Sequence, residues 1–177
     1  FLRSTAVNGL SFFIPLFWKE KGLSAAFIGM VLGVSNLIQL GFFPIAGKTC
    51  SKAPQFIPKI IQLGYSLTII PFLVAPFLYH GKSVFLPQSV LSISWVFFYI
   101  GTTLLLGQFA PISQRAEALG WMETAFNLKG TIGPISFSLI LSGSRNNYFL
   151  SYLSFSSLVF TALIIFRNYE KSYLKSS

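Results

Sequence analysis

Two ionic side chains lie inside a stretch that is otherwise apolar enough to cross a membrane. Glu123 is the only acidic residue within a predicted span, and Lys129 follows it six residues later. A charge at the centre of a bilayer costs about 3 kcal/mol or more, so both should face protein or a water-filled cavity. A carboxylate in such a place can bind a proton or a cation, and an ammonium group can bind an anion.

Glu123 shares one face of a predicted helix with small and polar residues, because their spacing follows the helical repeat. One interpretation makes this face a wall of a transport path, with Glu123 binding a proton or a cationic substrate. The alternative is a tight contact between helices, which small residues permit, with Glu123 reaching water near the cytoplasmic end. The residues of this face are Gly120, Glu123, Asn127, Gly130 and Pro134.

Lys129 lies about 240° around the helix from Glu123, so the two do not pair on the same helix. It could form an anion site in a cavity or pair with an acid in a missing half of the protein. The alternative is a long side chain that extends to water.

Three further side chains, Arg3, Asn36 and Gln39, are candidates of lower rank. Arg3 precedes the first predicted span and could contribute to a cavity. Asn36 and Gln39 are three residues apart and share a face, where they could line a path or form hydrogen bonds between helices. Trp95 is interpreted as an anchor at the membrane interface.

The composition indicates which elements must position these groups. Hydrophobic residues make up 53% of the 177 residues and charged residues 10%, whereas a soluble domain carries about a quarter charged residues. A spanning helix needs about 20 mainly apolar residues. We therefore predict one all-α domain over residues 1–177, a polytopic bundle of transmembrane helices. The six predicted spans cover residues 4–18, 25–47, 60–79, 86–108, 118–141 and 148–166.

The net charge of +9 is distributed as in the loops of a membrane protein, and not as one basic patch that would predict nucleic-acid binding. Inner loops carry more Lys and Arg than outer loops if both termini are cytoplasmic, which predicts that orientation in a cell (inner) membrane. Phe1 at the start predicts a fragment boundary. The inner set is Lys48, Lys52, Lys59, Arg115, Arg167, Lys171 and Lys175, and the outer set is Lys19, Lys21, Lys82 and Arg145.

Signals of an enzyme are missing from the sequence. His80 is the single histidine, Cys50 is the single cysteine, and Asp does not occur. One histidine cannot form a histidine metal cluster, and a Ser-His-Asp arrangement needs Asp. We therefore predict no enzymatic activity, no metal and no cofactor.

Two stretches resemble the major facilitator superfamily of transporters, in the order and spacing of its N-terminal half. The first, KEKGLSAAFIGMVLGVSNLIQLGFFPIAGKTCSK, begins at Lys19 and includes the pair Pro44 and Gly47. The second, PISQRAEALGWMETAFNLKGTIGP, begins at Pro111 and ends on the pair Gly133 and Pro134. It is similar to the family's loop between helices four and five, followed by helix five.

The chain departs from the family's pattern at three places. In the cytoplasmic loop motif, Gly47 and Lys52 match, but Ser51 stands where the family has an acid, which weakens the implied charge latch. In helix four, Phe97 stands where the family often has an arginine linked to proton coupling. In helix five, the residues that fit the antiporter-type motif are Gly120, Gly133 and Pro134, and those that do not are Lys129, Phe137 and Ser138.

The resemblance implies half of a secondary transporter that works by alternating access, with proton-coupled efflux as the preferred direction. The implied partners are the lipid bilayer, a small-molecule substrate, and a missing C-terminal half or a second copy. The alternative is a truncated or non-transporting membrane protein of the same fold. The substrate or proton pathway would be formed by Glu123, Asn127, Lys129, Asn36, Gln39 and Arg3.

Overall fold

The computed structural model describes residues 1–174, with side chains to residue 172, and Lys175 of the predicted inner-loop set lies outside this range. Over residues 1–174 the chain forms long helices and no strand, so the all-α prediction is confirmed. Short 3-10 turns cover Pro54–Phe56, Gly81–Val84 and Ile112–Gln114, and a π-helical segment covers Glu170–Leu174. The long helices are α1 (Leu2–Glu20), α2 (Ala25–Lys52), α3 (Ile57–Val74), α4 (Phe85–Phe109), α5 (Arg115–Gly143) and α6 (Tyr148–Tyr169).

Four helical segments are long and apolar enough to cross a membrane. The α1 and α5 helices fall outside this set; α1 carries Arg3, and α5 carries Glu123 and Lys129. The four segments are Ala25–Lys52, Pro54–Val74, Gly81–Phe109 and Tyr148–Ser172.

Prolines decide where two helices end. The α2 helix continues five residues beyond residue 47, and stops when Ala53 leaves the helical conformation (φ −143°, ψ 73°). A following proline, here Pro54, disfavours the helical conformation of the residue before it. Ser51 and Lys52 therefore lie on the last turn of α2 and not in a loop. The α3 helix stops at Val74, although the predicted span runs to residue 79, because Pro76 has no N–H to continue the helical hydrogen bonds.

The helices follow one another around the bundle in the order α5, α1, α6, α3, α4 and α2. The α3–α4 contact is the most extensive, and glycines on both helices allow it. A Cβ on Gly64 would lie 2.7 Å from the backbone nitrogen of Phe98, and a Cβ on Gly101 would lie 2.6 Å from Ile61. The two backbones therefore lie in direct contact at Gly64, whereas at Gly101 the Ile61 side chain packs against the glycine.

The α1–α5 contact also depends on glycines. A Cβ on Gly133 would lie 2.5 Å from the Thr5 carbonyl oxygen and 2.8 Å from the Gly9 nitrogen, and a Cβ on Gly9 would lie 2.9 Å from the Gly133 oxygen. One turn further along α5, the buried ring of Phe137 stacks on Phe13 with 4.8 Å between ring centroids. These contacts determine which face of α5 points into the bundle.

Replacing Ser24 by alanine is expected to lower the free energy of unfolding by about 1 kcal/mol. Ser24 is the N-cap of α2, and its hydroxyl accepts a hydrogen bond from the Phe27 backbone N–H at 3.2 Å. Thermal unfolding in detergent measures the change. Ser24→Asn should keep the cap, so an equal loss in both variants would contradict this explanation.

Candidate functional site: a polar cavity between four helices

Side chains from α1, α2, α4 and α5 line a cavity of about 210 Å³ that is open to the surface. The order of helices around the bundle begins with α5 and α1 and ends with α4 and α2. The cavity lies between these two pairs of helices. Six of the nine lining side chains are polar, although the surrounding helices are mainly apolar. The lining consists of Val7, Asn8, Ser11, Gln39, Gln88, Leu91, Ser92, Trp95 and Lys129.

Two buried polar atoms of this lining have no hydrogen-bond partner among the described residues. They are Oε1 of Gln88, whose side chain is 8% exposed, and Oγ of Ser92, which is 2% exposed. A buried polar group without a partner costs about 1–3 kcal/mol. A bound molecule or water in the cavity would satisfy both groups.

Lys129 supplies the charge of the cavity. The α5 residues Met122, Phe126, Gly133 and Phe137 are buried, and their helical spacing turns position 129 towards the bundle. The Nζ atom lies 4.1 Å from the centre of the Trp95 ring and 4.4 Å from that of Phe126. These cation–π contacts attract the ammonium group without neutralising its charge.

Arg3 is a fully buried cation in the first turn of α1, close to the cavity but not part of its lining. Its Nε donates to Thr68 Oγ1 at 2.8 Å and its Nη2 donates to Ser94 Oγ at 3.2 Å. Its Cζ lies 4.2 Å from the Phe98 ring centre and 5.8 Å from that of Trp95. Its Nη1 has no hydrogen-bond partner among the described residues.

The two hydroxyls that hold Arg3 are oriented by their own helices. Thr68 donates to the Gly64 carbonyl at 2.7 Å, and Ser94 donates to the Leu91 carbonyl at 2.7 Å. Because each hydroxyl has a single hydrogen, both oxygens are left as acceptors for the guanidinium group. Arg3 thus connects α1, α3 and α4 without a carboxylate among these partners.

Glu123 does not line the cavity. Its side chain is exposed, and its Oε1 accepts a hydrogen bond from the Tyr99 hydroxyl of α4 at 3.0 Å. Asn127, on the same face, is also exposed. A Cβ at Gly120 or Gly130 would meet no atom within 4 Å. Within the described residues this face is open and forms no tight contact between helices.

The remaining candidates of α2 and α5 have different positions. Gln39 lines the cavity, whereas Asn36 is exposed, so the shared face does not bring both to one site. A Cβ added at Gly47 would meet no atom within 4 Å. Ser51 donates to the Lys48 carbonyl at 3.1 Å, and Lys52 is exposed. Gly133 forms the α1–α5 contact described above, and Pro134 follows it as a half-buried residue inside α5.

Five lining polar or aromatic residues were not among the predicted site residues: Asn8, Ser11, Gln88, Ser92 and Trp95. A signal was present, because Gln88, Ser92 and Trp95 are spaced i, i+4 and i+7 and so share one helical face. Trp95 turns its ring to Lys129 and lines the cavity, a role that its interpretation as an interface anchor did not include. Among the described residues no group of three or more His, Cys, Asp or Glu side chains could hold a metal ion.

Comparisons with known proteins agree on the class. The family model of the Major Facilitator Superfamily matches residues 1–134. Multidrug resistance protein 1 of Bacillus subtilis (strain 168) is 30% identical over 124 residues, which are 68% of this chain and 30% of that protein. The chain thus aligns with less than a third of the length of this relative. No solved structure matches the chain significantly.

Proposed function

We propose that this chain, which belongs to the major facilitator superfamily, forms the N-terminal half of a secondary transporter. Membership of this family and the apolar helices make it part of an integral, multi-pass membrane protein. In this class, two six-helix halves enclose a site near the middle of the membrane and expose it alternately to each side. The observation that carries the proposal is the cavity between α1, α2, α4 and α5, with its unpartnered Gln88 and Ser92 atoms.

We propose efflux as the direction of transport. The support is the name of the relative, a multidrug resistance protein, to which 68% of this chain aligns. We also propose that the protein lies in the inner membrane of the cell, with both of its termini in the cytoplasm. The Lys and Arg residues near the α2–α3 and α4–α5 connections and after α6 support this orientation.

A second six-helix half is part of the proposal, supplied either by the same polypeptide or by another copy. The support is the open surface of α2 and α5. A Cβ added at Gly29, Gly33 or Gly41 of α2, or at Gly120 or Gly130 of α5, would meet no atom within 4 Å. Small residues of this kind allow helices to approach closely.

Proton coupling through Glu123 is the proposed mechanism, supported by its hydrogen bond to Tyr99 of α4. A proton taken up by the carboxylate changes this bond between α4 and α5, two helices that also line the cavity. Proton binding would thereby be linked to the arrangement of the cavity walls.

The test uses the full-length protein in liposomes with an imposed pH gradient, while internal pH is followed as candidate substrates are added. Substrate-dependent proton flux is expected in the wild type and is expected to be lost in Glu123→Gln. Tyr99→Phe removes only the hydrogen bond, and should weaken the flux while leaving the carboxylate in place. Glu117→Gln, on the same helix in an exposed position, is the matched control.

Two results would contradict parts of this proposal. Normal proton flux in Glu123→Gln would exclude Glu123 as the coupling residue. Absence of proton flux together with absence of substrate counterflow, in a protein that is folded by size-exclusion chromatography, would favour the alternative of a non-transporting protein. The replacement of the family's acid by Ser51 is the observation that favours this alternative.

A further inference from the structure

We propose that the substrate carries an anionic group and that Lys129 binds it, an inference that rests on the proposed transport function. It names the chemical class of ligand for the cavity between α1, α2, α4 and α5.

The cavity lining has one charged side chain, the ammonium group of Lys129, and contains no carboxylate. The acid nearest in sequence, Glu123, lies outside the lining, where it is exposed and accepts a hydrogen bond from Tyr99, and its negative charge acts on Lys129 from there. Because the contacts of Lys129 with Trp95 and Phe126 are cation–π contacts, its positive charge stays uncompensated within the lining. A cationic ligand would be repelled there, and an anion would be attracted.

Arg3 adds a second positive charge close to the first. The Arg3 Cζ and the Lys129 Nζ lie 5.8 and 4.1 Å from the same Trp95 ring centre, so they are within about 10 Å of each other. The described hydrogen-bond partners of Arg3 are neutral hydroxyls. In an interior of low dielectric constant, the fields of the two cations add and are weakly screened. An anion bound in the cavity would lower the energy of both.

Hydrogen-bond donors in the lining complete the site. The Ser92 hydroxyl has no partner among the described residues, and the Gln39 and Gln88 amides each carry N–H groups that can donate to an oxyanion. Gln88 also has an unpartnered Oε1, which can accept a hydrogen bond from a hydroxyl or amide elsewhere on the ligand. The matching ligand is a small molecule with a carboxylate-like group and a further donor.

The test uses three probes of nearly the same shape and different charge, namely benzoate, benzamide and benzamidinium. Binding to the full-length protein in detergent is measured as the shift of the unfolding temperature with probe concentration, and each probe is also tested for counterflow in liposomes. Benzoate is expected to bind the wild type at least about tenfold more tightly than benzamidinium, because a hydrogen bond to a charged group contributes that much or more.

Three variants separate charge from structure. Lys129→Gln should weaken benzoate binding about tenfold or more and leave benzamide binding nearly unchanged. Lys129→Glu should reverse the preference towards benzamidinium, a gain that an unfolded variant cannot produce. Lys82→Gln removes an exposed lysine outside the cavity lining and should change none of the three affinities.

Different results would count against the anion site and against transport. Tighter binding of benzamidinium, or benzoate binding that does not depend on Lys129, would overturn the inference, while counterflow of any probe would still support transport. Benzoate binding that depends on Lys129 without counterflow would support the anion site and count against transport. If the folded protein binds none of the three probes, the inference is wrong.

Discussion

Replacing Arg3 by methionine is expected to reduce transport at least about tenfold while leaving the free energy of unfolding unchanged or raising it. The guanidinium group is fully buried, and its described hydrogen-bond partners are Thr68 and Ser94. Burying an ion costs several kcal/mol, and apolar replacement of buried ionic groups is often neutral or stabilising by about 1–4 kcal/mol. If stability is not what Arg3 contributes, its positive charge beside the cavity is the remaining role.

Two measurements test this expectation on the full-length protein, namely thermal unfolding in detergent and substrate counterflow in liposomes. Thr68→Val is the informative companion, because it leaves Arg3 in place but removes the acceptor of Nε. We expect it to lower the free energy of unfolding by about 1–3 kcal/mol, the cost of a buried donor left unpaired. Strong destabilisation by Arg3→Met with normal transport would assign Arg3 a structural role.

Replacing Gly133 by alanine is expected to lower the free energy of unfolding by about 3 kcal/mol, the upper end of the usual cost of overpacking. The added Cβ would lie 2.5 Å from the Thr5 oxygen and 2.8 Å from the Gly9 nitrogen. Both are backbone atoms of α1, so relief requires that α1 and α5 move apart. That movement would also disturb the Phe13–Phe137 stack one turn away.

Gly130→Ala is the matched control for this prediction, because the residue lies one turn away on the same helix and an added Cβ meets no atom within 4 Å. It should be neutral, or stabilising by up to about 1 kcal/mol through helix propensity. Unfolding can be followed by the reaction of a maleimide dye with Cys50, which is 1% exposed in the folded protein. Equal effects of the two substitutions would contradict the close α1–α5 contact.

Four of the six long helices were predictable from a local property, a long apolar segment between short polar connections. Their ends were less predictable. The α2 helix continues to Lys52, through residues that were predicted to form a loop. In this part of the helix, the Thr49 and Ser51 hydroxyls donate to carbonyls of α2 itself. The proline that ends α2 was visible in the sequence, but its exact effect depends on the backbone before it.

The candidate site was predicted in part. Lys129 and Gln39 line the cavity, whereas Glu123 and Asn127 lie on an open face of α5. The helical repeat groups residues by face, but it does not indicate which face meets which neighbour. Buried Phe126 and Phe137 and the small Gly133 orient α5, and their partners are on helices far away in the sequence.

The sequence by itself determined that this is an all-α membrane protein whose charged residues lie mainly between apolar segments. It also showed the resemblance to one transporter family. Hydropathy and residue spacing along the chain carry that information, because helices satisfy their backbone hydrogen bonds locally. Only the tertiary structure decided which polar residues share a cavity. That choice depends on the reciprocal glycine contacts of α1 with α5 and α3 with α4, which position Lys129 over Trp95 and bury Arg3 between Thr68 and Ser94.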